Sequence, residues 1–378
     1  MTNASVLYIA NARMPTEKAH GLQIANMCRA LAEHGMDVTL VVPKRKNPIQ
    51  EDAFRYYGIE PSFQIRYIWS WDLIGSLGVI GFWIQQITFS FSAWRACRNF
   101  SAQDSVFSRD IFAAWLLSFG KRKVIFEMHR YPERFVGMWK RLLRRMNGIV
   151  STNQWKAEKI ERVMGYPKER IRVLPNGFDS SMFSAHQSQT KLREVLQLPP
   201  NQTIVLYTGH LYDWKGAHVL ADAARFATNI LFVFVGGTPQ DIERFKKEYR
   251  HTPNILLVGH RPHREIPKYL HSADILVLPN SAKSHESQFS TSPIKLFEYL
   301  AAAKPIVASD LPSIHEILGD TNAVFVEPDN PGELAKGILH LIGQSDLAQR
   351  MAQANKVLSA SYTWDRRAGA IMEWIQRL

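Results

Sequence analysis

Cysteine is nearly absent from this 378-residue chain, with Cys28 and Cys97 its only two. They supply no disulfide framework and no metal-ligand spacing, which points to a reducing compartment. No HExxH, Asp-x-Asp pair or Cys/His cluster occurs, so no bound metal is expected. The Gly-x-Gly-x-x-Gly fingerprint of nicotinamide dinucleotide binding is missing too. The opening residues, MTNASVLYIAN, have no basic segment ahead of an apolar one, and no secretory signal is expected. Repeats of solenoid length and low-complexity segments are also lacking.

Acidic residues are in short supply: 34 Asp and Glu face 46 Lys and Arg, a net charge of +12. Residues 1–150 hold most of the excess, with 20 basic against 11 acidic side chains. Basic clusters fall at 44–46, at 121–123 and at Lys140, Arg141, Arg144 and Arg145. Such a half suits nucleic acid, the anionic cytoplasmic leaflet of a membrane, or simply water. The same half contains an uncharged run, 73–94, LIGSLGVIGFWIQQITFSFSAW. It is long enough to span a bilayer, but Gln85, Gln86 and Thr88 interrupt it and no second span exists. A buried or interfacial helix is the expectation. Trp69, Trp71, Trp83 and Trp94, beside the basic clusters, favour a peripheral membrane face.

With 46% apolar and 21% charged residues the chain is globular, and its length fits two domains of about 150–200 residues. Strand-like runs and helical segments alternate almost throughout. Runs such as VLYIAN (6–11), VTLVV (38–42), VIFE (124–127), TIVLYTG (203–209), ILFVFVGG (230–237) and DILVLP (274–279) are continuously apolar. That is the pattern of parallel strands covered on both faces, and it predicts an α/β chain of two doubly wound Rossmann-like domains. The breaks are placed after 176, where a Pro-Asn-Gly turn ends a strand, and after 360, ahead of a last amphipathic helix.

Ligands of such sheets lie at the carboxyl ends of the strands. Gly21 sits where the first helix begins, as a plain turn residue or as a point of close backbone approach. Glu127 and His129 follow the strand VIFE, and a lone His there is structural or faces a ligand. Lys215 precedes Gly216 at a helix start, and Lys295 lies in the first turn of a helix that Pro293 opens under a Ser292 cap. A cation there opposes the helix dipole. One such lysine is by default solvated; two of them suit a multiply charged anion, a diphosphate. Glu298, in the apolar segment after Lys295, either pairs with Lys295 or holds the vicinal hydroxyls of a ribose.

Taken in order, these stretches resemble the family-4 retaining glycosyltransferases of the GT-B fold. The resemblance runs from PTEKAHGLQIANMCRALAEHGMDVTLV through VFSRD, VIFEMH, VLPNGFD and the Lys-Gly helix start. It is most specific at TSPIKLFEYLAAAKPIVASDLPSIHEI. It implies an acceptor-side domain over 1–176, a donor-binding domain over 177–360 and a helix over 361–378 that crosses back to the first domain. Gly21 would border the cleft near the donor diphosphate, and His129 would sit beside the transferred sugar. Lys215 would pair with the diphosphate, and Glu298 would hold the ribose. Backbone N–H groups of the 291–295 turn, Thr291, Ser292, Ile294 and Lys295, would meet the phosphates and sugar. Two positions depart from the family pattern: Ser290 stands where a first Glu precedes Glu298, and His210 where Arg is usual. Ser290, Thr291 or Glu286 would then take over the sugar contact.

The expected activity is transfer of a sugar from a nucleotide-diphosphate donor to a glycan or lipid-linked acceptor, in polysaccharide or glycolipid biosynthesis. No metal or other cofactor and no nucleic acid is expected. The expected location is the cytoplasm, at the inner face of the cytoplasmic membrane. A nucleotide-sugar epimerase and a non-catalytic nucleotide-sugar-binding subunit are the alternatives.

Overall fold

A computed structural model describes residues 5–98, 100–101, 104–184 and 187–378. Residues 1–4, part of the reading of the chain's start, and 185–186, the end of the polar stretch after the first break, lie outside them. Two compact units divide the chain: Met1–Asn176 with Trp364–Leu378, and Gly177–Thr363.

Seven parallel strands build the first unit: β1 (Ser5–Ile9), β2 (Asp37–Pro43), β3 (Gln64–Ile68), β4 (Ser105–Ser108), β5 (Val124–Met128), β6 (Gly148–Ser151) and β7 (Ile171–Val173). Their order is β3-β2-β1-β4-β5-β6-β7, so the winding reverses between β1 and β4. Apart from Ser5, the central strands are buried throughout, as continuous apolar runs require. β3 was not expected. Its sequence, QIRYI, is largely exposed at the sheet edge and carries no apolar run to betray it.

The uncharged run forms one helix, Ile74–Cys97, kinked at Gly78 (φ +53°). Its inward face is Gly81, Gln85, Gln86, Phe89, Ser90, Ala93 and Cys97. The two glutamines that interrupt the run therefore point inward. Asn11 Nδ2 donates to Gln85 Oε1 (3.1 Å) and Gln86 Oε1 (3.0 Å), and Gln86 Nε2 donates to Asp110 (2.7 Å). Its outward face is apolar: Val79 is 75% exposed, Ile80 67% and Ile87 66%. Over this stretch the usual polarity of a surface helix is inverted.

The last helix, Trp364–Arg377, belongs to the first unit. It buries Ala368, Ile371, Trp374 and Ile375. β6 makes room for it with Gly148, where a Cβ would lie 2.5 Å from the Trp374 ring and 2.8 Å from Leu378.

In the second unit, six parallel strands follow: β8 (Ile204–Thr208), β9 (Leu231–Val235), β10 (Ile255–Gly259), β11 (Ile275–Leu278), β12 (Ile306–Ser309) and β13 (Val324–Val326). Their order, β10-β9-β8-β11-β12-β13, reverses between β8 and β11. One apolar cluster covers each face of this sheet. Both units are thus Rossmann-like and doubly wound.

Gly148→Val should force the last helix off β6. An overpacking loss of about 1–3 kcal/mol is expected in denaturant unfolding, whereas an unchanged midpoint would show that this helix is only loosely held.

Candidate functional site

Where a doubly wound sheet reverses, the loops after the two central strands part and leave a crevice. In the second unit those loops follow β8 and β11. The first runs from Gly209 into a short turn, Asp213–Lys215, and Gly216 (φ +72°) opens the next helix. A Cβ on Gly216 would lie 1.5 Å from the Pro279 carbonyl oxygen at the end of β11, so only glycine lets the loops meet. The Trp214 carbonyl then accepts from Ser281 N (3.1 Å) and Ser287 Oγ (3.3 Å). The second loop passes through a wide turn, Glu286–Ser290, to the helix Ile294–Ala301. Pro293 is the N-cap itself, with extended backbone, rather than the expected Ser292.

Both lysines converge on this place, and neither is the solvated side chain of the default reading. Lys295 is buried, and its Nζ has no hydrogen-bond partner. It lies 4.0 Å from the centroid of the Tyr207 ring. Burial pushes its pKa well below the lysine range, and the charge of Lys215 pushes it further. Lys215, 5.3 Å from the Trp214 ring, is pulled down to about 8 by burial, against an opposing influence from Glu286. Glu298 is buried one turn behind Lys295 but does not pair with it. Its Oε1 lies 2.5 Å from His263 Nε2. The neighbouring Tyr299 hydroxyl accepts from Thr208 N at 2.8 Å and ties this helix to the end of β8.

The remaining candidates of this unit line the same loops. His210 stacks on Tyr212 (centroids 4.8 Å apart), and its carbonyl accepts from Tyr207. Ser290 is buried and donates to the Glu286 carbonyl (3.4 Å); Thr291, Ser292 and Ile294 are half-buried. Two lysine amino groups, one buried and one half-buried, lie close enough to lower each other's affinity for a proton, with no carboxylate bonded to Lys295. Such an arrangement is costly in the empty protein and suits an anion of more than one charge.

In the first unit, His129 and Gly21 have different surroundings. His129 Nε2 is 2.9 Å from Glu127 Oε2, close but poorly aligned for a hydrogen bond. Glu127 is buried and accepts from Tyr8 Oη (3.0 Å) and from Arg367 Nη2 (2.5 Å) on the last helix, with Arg109 Nε 3.8 Å away. Burial raises its pKa, but His129, Arg367 and Arg109 outweigh that and hold it well below the carboxylate range. Burial and Arg109 hold His129 at about 3, so its ring is neutral near pH 7. Gly21 is explained by packing: a Cβ there would lie 2.2 Å from Tyr57 Oη and 2.5 Å from Thr16. Among the described residues no cluster of three His, Cys, Asp or Glu side chains has metal-binding geometry.

His263 and Arg367 carried no sequence signal, being a lone His in a loop and one of several basic residues in a terminal helix. Tyr299 was visible only as the neighbour of Glu298.

Lys295→Met keeps the stem and removes the unpartnered amino group. It should stabilise the empty protein by about 1 kcal/mol, the unmet desolvation less the aromatic contact. It should also weaken inorganic pyrophosphate binding at least tenfold. In the parent, Lys215 starts to lose its proton near pH 8, whereas a bound anion retains it. Pyrophosphate affinity should therefore fall as pH rises through about 8, with proton uptake on binding. Calorimetry in buffers of different ionisation heat reads both effects.

Two family models cover most of the chain: Glycosyltransferase Family 4 over residues 21–181, and Glycosyl transferases group 1 over 188–357. Curated relatives include a D-inositol 3-phosphate glycosyltransferase of Xylanimonas cellulosilytica, 25% identical over 60% of this chain and 56% of its own. A lipopolysaccharide 1,2-N-acetylglucosaminetransferase of Salmonella typhimurium is 24% identical over 58% and 59%. The chain spans about half the length of the curated relatives it matches. Among solved structures, Anabaena HepE with UDP and glucose superposes over 99% of both chains, with a TM-score of 0.75 and 18% identity. Sucrose-phosphate synthase of Thermosynechococcus elongatus does so over 99% of both, with a TM-score of 0.81 and 15% identity. On matched models, strand order and fold together, this chain belongs to the family-4 glycosyltransferases of the GT-B fold.

Proposed function

We propose that the protein is a retaining glycosyltransferase that takes a sugar from a nucleoside-diphosphate donor and passes it to a glycan or lipid-linked acceptor. The single observation that carries this reading is Lys295: a buried amino group without a hydrogen-bond partner, beside Lys215, where the second sheet reverses. The donor diphosphate fits between the two lysines, with the ribose at Glu298 and the phosphate oxygens and sugar at the Ser290–Ile294 backbone. HepE bound to UDP and glucose makes UDP-sugars the first donors to test.

In the transfer, the bond from the sugar C1 to the diphosphate oxygen breaks and the nucleoside diphosphate leaves. The acceptor hydroxyl oxygen bonds to C1 on the face just vacated, and its proton passes to the departing phosphate oxygen. Lys215 and Lys295 stabilise charge that grows as the bond breaks, the kind of contribution that dominates such catalysis. Because two ammonium groups supply that charge, the reaction is proposed to need no metal. His129, a neutral ring beside Glu127, is proposed to contact the transferred sugar.

The location proposed is the cytoplasmic leaflet. The outward apolar face of the helix Ile74–Cys97 continues through Trp83 onto Phe112, a ring-to-ring distance of 5.7 Å. From Trp115 it reaches Phe119, over which Arg145 stacks at 3.9 Å. An inverted apolar helix, with Arg145 at the end of its apolar patch and Lys140, Arg141 and Arg144 in the same basic cluster of the sequence, matches a lipid surface of negative charge.

A screen of nucleotide-sugars with and without acceptors tests the activity. Transfer supports it; donor conversion alone means an epimerase, and binding without turnover a non-catalytic subunit. Lys215→Ala should lower turnover 10²–10³-fold, about 2.7–4 kcal/mol. Activity should survive EDTA, and strict Mn²⁺ or Mg²⁺ dependence would refute the site. Flotation with phosphatidylserine vesicles tests location: binding should weaken with salt, and again in Ile80→Asp/Ile87→Asp or when the four basic residues are neutralised. Protein that stays in solution at low salt, or pairs with itself through this face, would rule the lipid surface out.

A further inference from the structure

Among the described residues, His263 is the only side chain paired with Glu298. It stands at the start of a tight turn, His263–Glu265, that follows the edge strand β10. The turn is closed by Glu265 N donating to the Pro262 carbonyl (2.9 Å), and pinned nearby by Arg261 Nε donating to Tyr269 Oη (3.2 Å). The other ring nitrogen of His263, Nδ1, is buried and has no hydrogen-bond partner. The whole hydrogen-bonding capacity in use is therefore Nε2, aimed at Glu298 Oε1. A buried carboxylate with a single partner rotates about its last bond unless that partner fixes it.

We propose that His263 is the positioning residue that orients Glu298 for a ribose, and that it thereby sets a preference for ribonucleotides over 2′-deoxyribonucleotides. The proposal rests on the ribose reading of Glu298. With Nε2–H donating to Oε1, the carboxylate plane is held, and Oε2 and the second lone pair of Oε1 face outward. Two adjacent hydroxyls, each donating one hydrogen bond, are the ligand that such a plane fits. A 2′-deoxyribose leaves one of those acceptors unmet in a buried place, which is how sites built around a hydroxyl reject its absence. Without His263 the carboxylate loses both its orientation and its partner, and the selectivity goes with them.

Binding calorimetry with UDP, ADP and GDP first identifies the diphosphate that the parent protein holds most tightly; that nucleotide, its 2′-deoxy analogue and inorganic pyrophosphate are then the probes. The parent should prefer the ribonucleotide at least tenfold. Glu298→Gln should erase most of that preference. His263→Ala should reduce it to within about threefold of the Glu298→Gln value, and the double variant should be no worse than Glu298→Gln alone. His263→Gln, which retains an N–H donor of similar reach, should keep the preference, and pyrophosphate affinity should be unchanged throughout. Should His263→Ala melt early, His263→Asn, polar but too short to reach Oε1, replaces it with the same expected loss. If Glu298→Gln erases the preference and His263→Ala or His263→Asn keeps it, the positioning role is overturned while the ribose reading stands. If Glu298→Gln keeps the preference, or no nucleoside diphosphate binds the parent, the ribose reading itself falls and takes the proposal with it.

Discussion

A lysine buried without a hydrogen-bond partner is costly for a fold whether it keeps its charge or gives up its proton, and the second unit contains one in Lys295. What makes it tolerable is local. The face of Tyr207 lies 4.0 Å below the ammonium, and an aromatic face offsets part of the lost hydration. The Tyr299 hydroxyl fastens the lysine's helix to the end of β8, so the side chain cannot escape by a shift of the helix. Gly216 lets the β8 and β11 loops touch, which closes the crevice around both lysines. Each feature raises the cost of the empty state and the gain on meeting an anion. This is preorganisation: charges held in place before the ligand arrives.

The first unit solves the opposite problem. Its buried charge is negative, Glu127, and it is over-compensated rather than left bare. Arg367 bonds to it, Arg109 stands 3.8 Å off, Tyr8 donates to it and His129 lies against it. Lys156, itself fully buried, donates to Thr152 Oγ1 (2.6 Å) and to the His129 carbonyl (3.3 Å), which fixes the residue from the backbone side. A neutral imidazole can donate and accept hydrogen bonds without adding charge.

Much of this was legible in the sequence, for identifiable reasons. Continuous apolar runs exposed the central strands of both sheets, because burial on both faces leaves no other pattern; β3 escaped because an edge strand needs no such run. Lys215, Lys295 and Glu298 were visible as charges in places where local physics disfavours them. The partner of Glu298 was not: His263 is 35 residues away in the chain, and no local rule connects a loop histidine to a distant helix. The same holds for Arg367 and Glu127, which lie 240 residues apart. Gly21 has a packing reason that no local pattern announced: Tyr57 and Thr16 fill the space that a side chain would need.

The return of Trp364–Leu378 to the first unit has a consequence for how the molecule comes into being. On the ribosome, the strands of the first unit emerge first, but the guanidinium that neutralises Glu127 is made last. Until Arg367 arrives, the sheet carries a buried carboxylate short of its main counter-charge, and the groove that Gly148 leaves for Trp374 is empty. The second unit, by contrast, is contiguous in the chain and is complete before that helix is translated. The part begun earliest is therefore finished latest, with the other unit as an insert within it. No single cut of the backbone yields two whole units: severing after Asn176 parts the first sheet from its own closing helix.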